Sequence, residues 1–121
     1  MPAENSIIFN RNLILTFPKP VNKDDFIAKI KEFANNVIEF LKSNGNFHLG
    51  HLKFISTTNG EDYLQLSVID IDQKPKVDGV LRKTFEKIKC TLNVIVFGVK
   101  KEEIDTKLTE EINNLQNYFK S

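Results

Sequence analysis

The chain has 121 residues, 40% of them apolar and 27% charged, with 17 basic and 16 acidic side chains and a formal net charge of +1. That length suits one domain spanning residues 1–121, with a core large enough to need no disulfide or metal staple. The charge balance argues against a dedicated nucleic-acid binder, and the single cysteine, Cys90, rules out an internal disulfide framework.

The N-terminal run MPAENSIIF has no basic region followed by a long apolar stretch, so no secretory signal is visible. No apolar run approaches the roughly 20 residues of a membrane span. A cytoplasmic setting without a membrane partner is the expectation. Ten phenylalanines and no tryptophan point to a Phe-rich core that has no indole N–H to satisfy.

Residues 1–5 read as a short flexible lead. Ser6–Phe9 could open a strand that Asn10, Arg11 and Asn12 interrupt. The strand proper spans Leu13–Phe17, and Pro18 and Pro20 close it because neither can donate to a ladder. Asn22 is a good N-cap, with Asp24 and Asp25 placed where the helix dipole favours negative charge. Phe26, Ile27, Ile30, Phe33, Ala34, Val37, Ile38 and Leu41 form one apolar stripe, which predicts a helix ending at Ser43-Asn44-Gly45-Asn46.

Phe47–Thr57 reads as a second strand, and Asn59-Gly60 as the tight turn of a hairpin. Tyr63–Ile71 is its return strand. Asp72–Asp78, which contains Pro75, reads as a loop, and residues 79–87 as an extended approach. Ile88–Val99 is apolar enough for a central strand. It breaks at Gly98 into a helix with the stripe Ile104, Leu108, Ile112, Leu115 and Phe119. Lys100 makes a poor N-cap for that helix. The predicted fold is α+β with the order β-α-β-β-β-α: a two-layer sandwich with two helices on one face of a mainly antiparallel four-stranded sheet. A ferredoxin-like or other plait-type arrangement is compatible with that order.

Candidate chemistry is sparse. His48 and His51 are the only histidines, in FHLGHLKF. Positions three apart on a regular strand point to opposite faces, so the pair could share a metal ion only if Gly50 marks a bulge. The plain alternative is one exposed and one packed histidine. Cys90 sits in a strand-like segment, where a thiol normally acts as a small apolar residue. Asp70 and Asp72 are spaced to share a strand face and could do acid/base work with His51, although solvated loop charges fit them better. Arg82, Lys83, Lys87 and Lys89 could contact an acidic partner or nucleic acid, although a hydrated strand edge fits them better. The chain has no GxxxxGK[ST], GxGxxG or GxSxG motif and no aromatic-glycine RNA-binding signature.

GHLKF at Gly50–Phe54, NVIVFGV at Asn93–Val99 and the following KKEEI helix resemble the C-terminal domain of CobW-type GTPases. The strand ending in FPKP and the NKDDF helix follow the same order. Gly50, His51, Lys53 and Gly98 are the matching positions. That family is associated with metal delivery and cofactor assembly, and its nucleotide chemistry sits in a separate P-loop domain with a thiolate metal motif. Neither is present here, so the resemblance implies a stand-alone accessory domain, linked to metal or corrinoid cofactor metabolism, that could serve a GTPase partner. It implies no GTPase activity.

The leading expectation is a non-enzymatic accessory or protein-interaction module with no cofactor. It would bind a protein partner or self-associate as a homodimer through its sheet, with His48, His51, Lys53 and Tyr63 as contact residues. The alternatives are a metal- or small-molecule-binding protein using His48, His51 and Cys90, and an enzyme with an atypical site at His51, Asp70 and Asp72.

Overall fold

A computed structural model describes residues 6–43 and 47–120. The element order is β1 (Ser6–Asn22), α1 (Lys23–Lys42), β2 (His48–Thr57), β3 (Tyr63–Val68), β4 (Lys76–Val80), β5 (Thr84–Phe97) and α2 (Lys101–Lys120). The class is α+β, as expected, but the sheet has five strands in the order β1-β5-β2-β3-β4, and all its ladders are antiparallel. The element order β-α-β-β-β-β-α and the fifth strand set it apart from the β-α-β-β-α-β ferredoxin-like plait.

The fifth strand is β4, within the segment read as a loop and an approach. It is a short edge strand whose lysine, aspartate and glycine hide its alternation. Gly79 makes it possible. Its φ is +94°, and a Cβ there would lie 2.3 Å from the Tyr63 carbonyl oxygen on β3. Only glycine allows that approach.

Strand β1 runs unbroken through Asn10–Asn12. Those two asparagines lie on the face of the sheet away from the helices, where polarity costs nothing. The prolines do not end it either. Its register against β5 is regular from Ser6↔Phe97 to Thr16↔Lys87, then jumps to Val21↔Phe85. The displaced residues include Pro18 and Pro20, so the ladder yields where no N–H is available and then resumes. β3 stops at Val68 rather than Ile71. There the Asp70 side chain accepts from the Asp72 amide at 2.8 Å and the Asp70 carbonyl accepts from the Gln73 amide, so both aspartates sit in a turn rather than on a strand face. β5 begins at Thr84, earlier than its apolar run suggests, and ends at Phe97 before Gly98, whose φ is +78°.

The two helices pack on each other and on one face of the sheet. Asn22 caps α1 as predicted, its side chain accepting from the Asp24 amide at 2.7 Å. The predicted stripes of α1 and α2 are buried, with Ile27 only partly so. Gly45 and residues 1–5 fall outside the described residues. In the centre, Phe26 lies at ring-centroid distances of 5.5 Å from Phe85, 6.0 Å from Phe119 and 6.5 Å from Phe54. This aromatic cluster fastens both helices to the sheet.

Glu111 is the one buried charge among the described residues. It accepts from the Asn36 side chain of α1 at 2.9 Å and pairs with Lys107 at 3.1 Å, so its burial between the helices is compensated.

Candidate functional site

The helices cover one face of the sheet and leave the other open. Alternation along each strand decides which side chains stand there. From β1 these are Ile8, Asn10, Asn12, Ile14 and Thr16. The register sets them beside Ile95, Asn93, Thr91, Lys89 and Lys87 of β5. β2 adds His51, Lys53, Ile55 and Thr57, β3 adds Tyr63, Gln65 and Ser67, and β4 adds Lys76, Asp78 and Val80.

His48 and His51 reach this face together. The ladder between β2 and β5 shifts at Gly50, so that His48 pairs with Phe97 and His51 with Ile95. Glycine eases the bulge, since a Cβ at position 50 would crowd the Ile95 side chain at 3.1 Å and the Phe97 ring at 3.2 Å. Lys53 and Tyr63 share the face. The structure therefore brings all four sequence-predicted contact residues to one surface, with His48 and Tyr63 exposed and His51 and Lys53 half-buried.

A polar ladder crosses three strands of this face, from β2 through β5 to the edge strand β1. His51 Nε2–H donates to Asn93 Oδ1 at 2.5 Å, and Asn93 Nδ2 donates to Asn10 Oδ1. Asn93 Oδ1 can only accept, so His51 Nε2 carries a hydrogen in this contact. Beside it, the Thr91 hydroxyl donates to Asn12 Oδ1 at 3.1 Å. Asn10 and Asn93 were not among the residues singled out from sequence. Their signal was present: each is an asparagine at an alternate position in an apolar strand.

Exposed aliphatic side chains flank the ladder. Ile8 and Ile14 on β1 are each 58% exposed, and Val80, at the far edge of the face, is 70% exposed. Lysines outnumber acids: Lys53, Lys76, Lys87 and Lys89 share the face with Asp78, which lies 4.0 Å from Lys76, and the exposed Glu86 adjoins Lys87 where the alternation breaks between buried Phe85 and Ile88. Lys87 and Lys89 thus belong to the face of an inner strand, not to an edge as expected, because β5 lies between β1 and β2.

Cys90 is on the other side. It is buried opposite Leu13, and the Ser56 hydroxyl donates to its sulfur at 3.6 Å. Burial pushes its thiol up to about 12, against a smaller opposite effect of the Ser56 hydrogen bond. A neutral thiol inside the core is no nucleophile. Nor can it join the histidines, which stand across the sheet from it. Among the described residues, no three His, Cys, Asp or Glu side chains gather to hold a metal ion. His51, Asp70 and Asp72 do not form a common site either, since both aspartates are held in the turn beyond β3. A cleft between α1 and α2 around Lys29 and Asn114 lies away from these residues.

One end of the sheet is held by Asp62, which sequence reading passed over. Its carboxylate accepts from the Thr57 and Thr58 hydroxyls and from the Thr58, Asn59 and Arg82 amides. Burial alone would raise its pKa, but the hydrogen bonds from Thr58, Arg82 and Asn59 outweigh that and hold it at about 2. Asn59 Oδ1 accepts from the Glu61 and Asp62 amides, and Gly60 takes φ +85°. The hairpin loop is therefore longer than the two-residue turn that Asn59-Gly60 suggested. Asp62 ties it to the segment entering β5.

No protein-family model, curated protein or solved structure matches the chain. No helix among the described residues is long and apolar enough to cross a membrane.

Proposed function

We propose that this chain is a small non-enzymatic accessory module whose open sheet face binds an acidic protein surface. The observation that carries this reading is the composition of that face. It sets four lysines against Asp78 and the neighbouring Glu86, presents aliphatic side chains among them, and has a hydrogen-bonded ladder crossing three of its strands. Apolar contacts among mainly positive charge suit a protein partner with complementary charge. His48, His51, Lys53 and Tyr63 are the proposed contact residues. The CobW-type resemblance adds that the partner is a GTPase acting in metal or corrinoid cofactor metabolism.

Matched baits test this. The wild type and a Lys53→Glu/Lys89→Glu variant are used to capture partners at low and at moderate salt. The expected result is a partner held by the wild type, weakened by salt and lost by the variant, while both proteins unfold at the same temperature. Identical partners on both baits would refute the reading. Selective retention of nucleic acid by the wild type would also refute it.

A further inference from the structure

The two edges of the sheet are built differently. At one edge, β4 is only five residues long, follows Pro75, carries Lys76 and Asp78, and is kinked by Gly79 at φ +94°. Each of these features is a known guard against edge-to-edge pairing. At the other edge, among the described residues, β1 pairs with β5 alone. From Ser6 to Thr16 it is regular, contains no proline or bulge, and carries one charge, Arg11. Its residues Ile7, Ile8, Phe9, Ile14 and Thr16 favour extended structure. A long, regular, nearly uncharged edge offers a row of unpaired backbone groups to another strand.

We propose that this edge pairs antiparallel with the same edge of a second copy, joining two five-stranded sheets into one. The inference does not require the open face to bind anything. Residues directly opposite in an antiparallel pair share a face, which restricts the register to shifts of two. Centring the two-fold axis on Arg11 would oppose two like charges. Centring it on Asn10 instead sets Arg11 against Phe9 of the second copy, Ile7 against Leu13 and Ile8 against Asn12. The Arg11 guanidinium already lies 4.9 Å from the centroid of its own Phe9 ring, so the segment is complementary to itself at this register. Asn10 then meets Asn10 on the axis. The ladder His51–Asn93–Asn10 continues into that of the second copy, and the two open faces form one surface. With Arg11 as its single charge, the segment holds little to select a charged partner over another copy.

Sedimentation over a wide concentration range, on the full chain, tests the proposal. A monomer–dimer equilibrium is expected. Asn10→Lys would place two lysines on the axis and weaken it at least about fivefold with the circular dichroism spectrum unchanged. The open-face variant Lys53→Glu/Lys89→Glu should dimerise as the wild type does, even if it captures no partner. Asn10→Cys should cross-link in high yield with a short bismaleimide and Thr16→Cys should not, since Cys90 is buried. A protein monomeric throughout would overturn the proposal. So would a dimer that survives Asn10→Lys, one lost in the open-face variant, or cross-linking at Thr16 in place of Asn10.

Discussion

The two faces of this sheet have the same strands and the same backbone ladder, yet opposite chemistry. On the covered face, Phe54, Leu66, Ile88, Leu92 and Val94 meet the helices with almost no exposure. On the open face, asparagine, threonine, lysine and histidine alternate with isoleucine. A side chain on the first face is there because the fold needs it. A side chain on the second is free to serve a contact, so a surface can be changed there without loss of the fold. That contrast is why function is sought on the open face, and it can be broken in graded steps.

The largest effect is expected on the covered side. Phe26→Ala removes the ring shared by Phe54, Phe85 and Phe119 and should cost about 3–5 kcal/mol in denaturant unfolding. Gly79→Ala comes next. A Cβ against the Tyr63 carbonyl at positive φ should cost about 1–3 kcal/mol and speed hydrogen exchange in β4 ahead of the other strands.

Asp62→Asn should cost on the order of 1–2 kcal/mol at neutral pH, after allowance for its partial exposure. The sign follows from its depressed pKa. The folded state holds the carboxylate ionised down to about pH 2, whereas the unfolded chain takes up its proton near pH 4. The contribution of Asp62 is therefore complete above about pH 4 and fades as pH falls towards about 2. Thermal unfolding from pH 6 to pH 2 should show the wild type losing its advantage over Asp62→Asn across that window. An advantage independent of pH would contradict the role of the carboxylate. The smallest effect is expected for Asn93→Ala, which breaks the open-face ladder at a partly solvated site. It should cost about 1 kcal/mol or less, with the His51 ring resonances shifting as the reporter.

These contrasts also explain how far the sequence could be read. Both helices were legible because their stripes repeat over five turns and face one core, and Asn22 marked the start of α1. Most of β5 was legible in the run Ile88–Val99, because strands flank it on both sides and the helices cover one of its faces. The edges were not. At β1, Asn10 to Asn12 looked like a break because a polar residue on an open face and a polar residue in a loop have the same letters. At β4, an edge strand with one half-buried side kept no apolar rhythm. The contact residues His48, His51, Lys53 and Tyr63 could be named, but their common face rested on the Gly50 bulge. The ladder His51–Asn93–Asn10 depends on strand order between segments far apart in the chain, which no local pattern encodes. Asp62 was missed for a related reason, since the Arg82 amide reaches it from beyond β4.

The most direct test is urea unfolding of the triple variant His51→Ala/Lys53→Ala/Tyr63→Ala beside the wild type. The predicted result is a stability within about 1.5 kcal/mol of the wild type and an unchanged m-value, as expected for side chains that stand on a free surface. A loss of several kcal/mol, or a variant that does not fold, would show that this face holds the structure together and would contradict its assignment as a binding surface.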